Sequence, residues 1–295
     1  MSERKAKIFF ILSMTIFGTI ALFVRYIPIS SGELALIRAC LASILIGLFL
    51  IITKQSISLK KIKKELPLII ISGIAMGFNW IFLFEAYKYT TVSVATLSYY
   101  FAPVIVTVMC PIIFKEKMNV KQWICFGFST LGIVLITGLG DLSQNNTHLI
   151  GILYGLAAAA LYATVILINK AIKTIEGIHR TFLQFLSAIL ILLPYVLLTT
   201  GIHLNNLQTP GIICLLVVGL IHTGITYCLY FTSLKEMKGQ SVAILSYIDP
   251  LVAVIISITI LKETISWVQI VGGILIIGFT LWNELTLNKK KNTLA

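Results

Sequence analysis

One acid stands in the middle of an apolar run, Asp249, and a proline follows it directly. An ionised carboxylate deep in hydrocarbon costs roughly 3 kcal/mol on insertion scales. It must be neutralised, paired or hydrated, which makes it a candidate for proton or cation coupling. The plainer alternative is a protonated or helix-bonded Asp that stabilises the proline break. Tyr247 lies just ahead of it, and Tyr99 and Tyr100 stand similarly before Pro103. A proline inside a helix leaves the carbonyl four residues earlier without its donor. In hydrocarbon that carbonyl, of Tyr99 or Ser246, needs another partner or a hydrated cavity. Pro103 and Pro250 are therefore expected as kink and gating positions beside a cavity wall. His222 is a possible proton shuttle, although a lone histidine is more often a hydrogen-bonded packing residue. Arg38 begins a turn or two inside a span, where it either snorkels, pairs with Glu85 at similar depth, or recognises an anion.

Helical spacing gathers these residues into faces. Thr96, Tyr100, Pro103 and Thr107 form one stripe, and Ser246, Asp249, Ala253 and Ser257 another, with Tyr247 and Pro250 beside it. Gly73, Gly77, Trp80 and Phe84 share a face flanked by Asn79; Gly219, His222, Thr223, Thr226, Tyr227 and Tyr230 give a comparable mixed face. Tyr162 and Asn169 continue the Gly151, Gly155 spacing that permits close helix approach. The expected substrate-binding set is Asn79, Trp80, Tyr99, Tyr100, Tyr162, His222, Tyr227, Tyr247 and Asp249. No metal and no cofactor is expected. The five cysteines (Cys40, Cys110, Cys125, Cys214, Cys228) all lie in apolar runs without a CxxC pair, and read as packing residues. No Gly-rich nucleotide loop is present to support ATP hydrolysis.

The elements that carry these faces are helices in a bilayer. The 295 residues are 58% hydrophobic and 12% charged, with a mean hydropathy of +0.99, against roughly 25% charged in a soluble domain. Long apolar runs match the bilayer thickness and are too long for barrel strands. The pattern predicts an all-α integral membrane protein of about ten transmembrane helices. They are Ala6–Val24, Gly32–Thr53, Glu65–Ala86, Thr91–Phe114, Asn119–Gly138, His148–Ala171, Gly177–Thr199, Thr209–Ser233, Gly239–Leu261 and Ile265–Glu284. The first run reads as a retained span rather than a signal peptide. Pro67 and Pro210 are expected in first helical turns, and Glu116 and Glu263 as caps of the fifth and tenth spans. Trp123, Trp267 and Trp282 suit interfacial anchoring.

The net charge of +12 is scattered over short connections, which argues for topology and against nucleic acid as a partner. With the N-terminus in the cytoplasm, nineteen Lys and Arg fall inside and only Arg25, Lys88 and Lys262 outside. The expectation is a multi-pass protein of the cell (plasma) membrane with both termini cytoplasmic. Its partners are the lipid bilayer and a small-molecule substrate, with protons a candidate coupling ion. Either a monomer or a homodimer fits.

The chain is also written twice. Ala95–Glu116 overlays Val242–Glu263, pairing Tyr100 with Tyr247, Pro103 with Pro250, Lys115 with Lys262 and Glu116 with Glu263. The same register pairs Gly77 with Gly224, Phe84 with Phe231, Lys88 with Lys235 and Gln122 with Gln269. Two halves follow, residues 1–138 and 148–285, ahead of a basic cytoplasmic tail at 286–295. Each holds five spans, so the second enters the bilayer inverted. Inverted repeats place a ligand site near the midplane and exchange inward-open and outward-open states.

The runs Tyr87–Gly138 and Leu234–Gly278 resemble the paired EamA domains of the drug/metabolite transporter superfamily. The matching signatures are Tyr99-Tyr-Phe-Ala-Pro103 with Phe114-Lys-Glu116, and Ser246-Tyr-Ile-Asp-Pro250 with Leu261-Lys-Glu263. Phe17-Gly18 resembles the first-span aromatic-Gly step and Leu36-Ile-Arg38 the second-span Leu-Arg step. Lys stands twice where the family commonly has Gly, and Ala102 stands where the second half has Asp249. The resemblance implies a small-metabolite carrier with a cavity lined mainly by spans one, three, four, six, eight and nine. The reading is a secondary transporter working by alternating access, exporting amino acids or related amphiphilic compounds. A multidrug or organic-cation exporter is the alternative. A polytopic membrane transferase is remote, because the polar groups are dispersed at the midplane rather than clustered at one interface. A purely structural scaffold would leave the proline-broken polar faces without a reason.

Overall fold

Side-chain caps start several helices at the polar breaks. The hydroxyls of Ser2, Ser30 and Thr91 accept from the backbone N–H groups of Lys5, Glu33 and Val94, satisfying donors that a helix start leaves orphaned. The computed structural model describes residues 2–55, 59–115, 119–137, 146–175, 177–234, 236–237 and 245–293. Among the described residues, seven apolar helices are long enough to cross a bilayer: Glu3–Val24, Ser31–Ile52, Ile62–Tyr89, Val92–Phe114, Thr147–Ala171, Gly177–Thr199 and Thr209–Ser233. Three shorter ones, Val120–Leu135, Ile248–Thr259 and Trp267–Asn283, complete the ten expected spans in their expected order. Residues 238–244, where the ninth span was expected to begin, lie outside the described residues, as do Glu116 and Lys235.

Two expected boundaries are corrected. The third helix begins at Leu59, so Pro67 sits inside it rather than in its first turn. The carbonyl it frees is that of Lys63, near the lysine-rich polar end. Glu263 does not cap the tenth span. Ser266 and Gln269 do so through a reciprocal box, in which Ser266 N–H donates to Gln269 Oε1 at 3.0 Å and Gln269 N–H to Ser266 Oγ at 3.2 Å. Asn119 and Gln122 repeat the box at the fifth span, at 2.8 and 2.9 Å. The Gln122–Gln269 match between the halves is therefore a shared capping device. Gln269→Ala is expected to cost about 1 kcal/mol; an unchanged denaturation midpoint in detergent would refute the box.

Packing respects the duplication. Span three packs on span six as span eight packs on span one, and span four on six as nine on one. Span three meets seven as eight meets two, while two–seven, four–nine and five–ten are pairs that map onto themselves. The matched glycines have matched partners. A Cβ on Gly77 would meet Leu192 Cγ at 3.1 Å, and one on Gly224 would meet Leu45 Cδ1 at 3.1 Å; Leu45 and Leu192 fall in the same repeat register.

The halves differ by one residue in the eighth span. Gly73 lies against Ser187 and Ala188, and Gly219 against Leu41, the counterpart of Ala188. Gly73 and Gly77 are four residues apart, Gly219 and Gly224 five. The extra residue is absorbed by a π-helical stretch, Val217–Ile225, the usual form of a one-residue insertion in a helix.

Candidate functional site

Two helices are interrupted where the repeats meet. Span four runs Val92–Tyr99 and resumes as Ala102–Phe114, with Pro103 in the first turn of the second piece. In span nine Tyr247 precedes the helix Ile248–Thr259, whose first turn holds Asp249 and Pro250. Both prolines thus restart a helix rather than kink its middle, and the donor each lacks is one that a helix start leaves unpaired anyway. In span four the chain turns at Tyr100, whose N–H reaches Thr96 O at 2.9 Å, and at Phe101, whose N–H reaches Ser98 O at 3.2 Å.

The two breaks are joined. Tyr100 Oη donates to Asp249 Oδ2 at 2.6 Å. The carboxylate lies in a first helical turn, where the positive end of the helix favours it. Span one rests directly on this turn. A Cβ on Gly18 would come within 2.6 Å of Asp249 O and 2.7 Å of Val252 Cβ, so only glycine allows the approach. Just beyond, span one breaks at Thr19, between Glu3–Gly18 and Ile20–Val24. Thr19 Oγ1 lies 2.9 Å from His222 Nε2, and His222 Nδ1 lies 3.2 Å from Val217 O within the π stretch. The Phe23 ring stands edge-on to the imidazole at 5.0 Å. His222 thereby links the break in span one to the π stretch in span eight.

Aromatic rings fill the space between. Tyr99 meets Tyr162 at 5.3 Å and Tyr100 at 6.0 Å; Phe17 stands edge-on to Tyr227 at 5.2 Å. Phe185 is edge-on to both Trp80, at 5.2 Å, and Tyr227, at 5.3 Å. Asn79 Nδ2 donates to Ala158 O at 2.7 Å, tying span three to span six, and the same amide reaches Tyr99. Asn169 points elsewhere and accepts from Gln184 Nε2 at 2.7 Å. Gly151 and Gly155 admit Thr90 and Ser98 of the neighbouring segment, the close approach their spacing predicts. Tyr247 is buried.

Arg38 enters this cluster, and of its alternatives the pairing with Glu85 does not occur. Glu85 Oε1 accepts from Lys88 Nζ at 2.9 Å, one turn away on the same helix. Arg38 is 4% exposed. Its Nε donates to Thr223 Oγ1 at 2.6 Å, and its guanidinium lies 4.4 Å above the Trp80 ring and 5.5 Å from Phe84. Tyr87 and Tyr227 are within electrostatic range of both Arg38 and Asp249. Span two therefore joins the expected lining spans. Arg38, Phe17 and Tyr87 belong with the site although spacing alone left them out. The signal for Arg38 was present: it is the one basic residue that a cytoplasmic–external assignment leaves within a span.

At one end of the bundle Glu263 ties three segments together. Its Oε1 accepts from Arg25 Nη1 at 3.0 Å and its Oε2 from Val92 N–H at 2.8 Å, while Ser257 Oγ donates to the same carboxylate. It caps the start of span four and holds the end of span one. Lys262 beside it and Lys115 at the matching step both take left-handed backbone, each with φ 55°, so the turn keeps the glycine geometry although lysine occupies it. Glu263→Ala is expected to speed amide exchange in the segment 90–96 by about tenfold, from loss of hydrogen bonds to a charged group worth roughly 1.5 kcal/mol. Hydrogen-exchange mass spectrometry checks this, and unchanged exchange would remove the carboxylate from that role.

About ten apolar helices among the described residues, built as two inverted five-helix units and broken at the centre where aromatic rings meet a carboxylate, define a membrane-transport fold. The EamA-like transporter family model matches residues 4–138 and 149–283, and the chain belongs to that family. YxxF, an uncharacterized transporter of Bacillus subtilis (strain 168), is 30% identical over 282 residues, 92% of this chain and 88% of that one. Protein PecM of Dickeya dadantii (strain 3937) is 25% identical over 259 residues, 85% and 82% of the two chains. A solved crystal structure superposes with a TM-score of 0.63 at 14% identity, covering 97% of this chain and 98% of its own, which supports the fold alone. The protein is a multi-pass membrane transporter.

Proposed function

We propose that this transporter is a secondary carrier that works by alternating access and exports amino acids or similarly small amphiphilic metabolites. The observation that carries the reading is the Tyr100–Asp249 bond, 2.6 Å long, between two interrupted helices at the junction of the repeats. Discontinuous helices at such a junction supply polar contacts in hydrocarbon without orphaning backbone elsewhere. Tyr99, Tyr162 and Tyr227, with Trp80 and Phe17, offer ring faces to the apolar part of a substrate. Asp249 and the tyrosine hydroxyls address its polar groups, while Asn79 and His222 hold the neighbouring helices in place. Protons are the proposed coupling ion, exchanged at Asp249. The charge bias of the loops supports the cell membrane as its location, with both termini in the cytoplasm.

One feature favours an organic-cation exporter instead: a single acid facing aromatic rings suits a lipophilic cation. The two readings separate in one experiment. Uptake into vesicles of purified protein is screened over an amino-acid panel and a lipophilic-cation panel, with and without a proton gradient. Amino acids accumulating and cations failing to compete is the expected result; cations alone accumulating would replace the reading.

A further inference from the structure

We propose that Arg38 is a binding site for the anionic end of the substrate, so the cargo carries a carboxylate. The inference deepens the transport reading and rests on it for treating the central cluster as a substrate site. A buried charge is normally paired, because an unpaired one in a medium of low dielectric is strongly unfavourable. Arg38 breaks that rule. Its Nε is spent on Thr223 Oγ1. Among the described residues its two terminal nitrogens have no hydrogen-bond partner, and no carboxylate comes within ion-pair distance.

The acids of the described spans take other donors. Glu33 Oε1 accepts from His203 N–H while its Oε2 stays buried without a donor, Glu65 accepts from the N–H groups of Lys173 and Thr174, and Glu85 from Lys88. Glu263 holds Arg25, and Asp249 holds Tyr100. Trp80 and Phe84 offer ring faces to the cation. Such contacts steady a guanidinium and fix its plane, but they supply no negative charge.

The duplication shows that the fold does not need a cation there. In the repeat register Arg38 corresponds to Phe185, and Trp80 to Tyr227. Phe185 stands edge-on to Tyr227 at 5.3 Å, the place the guanidinium takes over Trp80 at 4.4 Å. An apolar ring serves that position in the second half, so packing is satisfied without charge. Arg38 presents a planar fork with one edge anchored and the other open, the geometry that receives a carboxylate by two parallel hydrogen bonds. Tyr87 and Tyr227 lie within electrostatic range of both Arg38 and Asp249, so a ligand held at Arg38 by its anionic end would carry any cationic group on the side of that carboxylate.

The test uses the full-length protein purified in detergent. Its melting midpoint is titrated with each of the twenty amino acids and with the corresponding methyl esters, which keep the side chain and the amine but lose the anion. We expect at least one free acid to raise the midpoint, and its ester to bind roughly 10–100-fold more weakly, as loss of hydrogen bonds to a charged group implies. Arg38→Met should abolish the shift given by the acid, Arg38→Lys should keep part of it, and Thr223→Val should weaken it by loosening the fork. No shift with any acid, esters as effective as acids, or an undiminished shift in Arg38→Met would each overturn the proposal. Should Arg38→Met not purify folded, the acid–ester comparison on the unaltered protein decides alone. Counterflow of the same compounds in proteoliposomes separates the two readings. Acids that bind but never cross would sink transport and leave the anion site standing. Acids that cross equally well with Arg38→Met would sink the anion site and leave transport standing.

Discussion

Tyr100→Phe is expected to reduce gradient-driven uptake into proteoliposomes by at least about tenfold, and Asp249→Asn to abolish its dependence on pH. A phenol donating to a carboxylate is a charge-assisted bond, worth roughly 1.5–3 kcal/mol, and here it spans two interrupted helices over 2.6 Å. Removing the hydroxyl leaves the carboxylate in an apolar cluster without that donor and lets the two breaks move independently. The amide of Asn keeps the volume and still accepts from Tyr100, but it no longer titrates. Uptake in Asp249→Asn should therefore persist at a reduced level while its pH profile flattens. A profile parallel to that of the unaltered protein would show that protons couple elsewhere. Full uptake in Tyr100→Phe would show that the bridge between the breaks is idle.

Gly18→Ala is expected to be as damaging although it alters no polar group. The added Cβ would meet Asp249 O at 2.6 Å and Val252 Cβ at 2.7 Å, both on a helix that cannot retreat as a flexible side chain would. Overpacking of this kind costs about 1–3 kcal/mol. More of the effect should appear in function, because span one must move back from the turn that aims Asp249 at Tyr100. The measurement is uptake per folded molecule, with melting in detergent as control. Uptake within twofold of the unaltered protein would mean that span one does not set the position of Asp249.

Much of this architecture could be read from the residues. Length, apolar composition and the matched prolines gave ten spans and the duplication, since bilayer thickness and a rare residue at a repeated spacing are one-dimensional signals. Tyr100, Asp249 and Pro250 were singled out because polar groups and helix breaks are costly in lipid. What the spacing hid was who bonds whom. Glu263 looked like a cap of the helix that follows it, yet it serves span four and Arg25 through a left-handed turn at Lys262. Depth alone leaves Arg38 a choice of snorkelling, pairing with Glu85 or meeting an anion, whereas side-chain direction turns it toward Trp80 and gives Glu85 to Lys88. Asn79 is placed by its face alone, and that face does not reveal its bond to Ala158 O. The inserted residue in span eight was invisible because an apolar run shows no gap.

That inserted residue bears on energetics. Were the halves interchangeable, swapping their shapes would turn an inward-facing carrier into an outward-facing one of identical free energy, and the empty protein would divide evenly between them. The wider turn at Val217–Ile225 has no twin among the described residues of span three, so the degeneracy is lifted. If the carrier alternates as proposed, the unloaded protein has a preferred resting face, and cargo arriving from the opposite side must work against that preference.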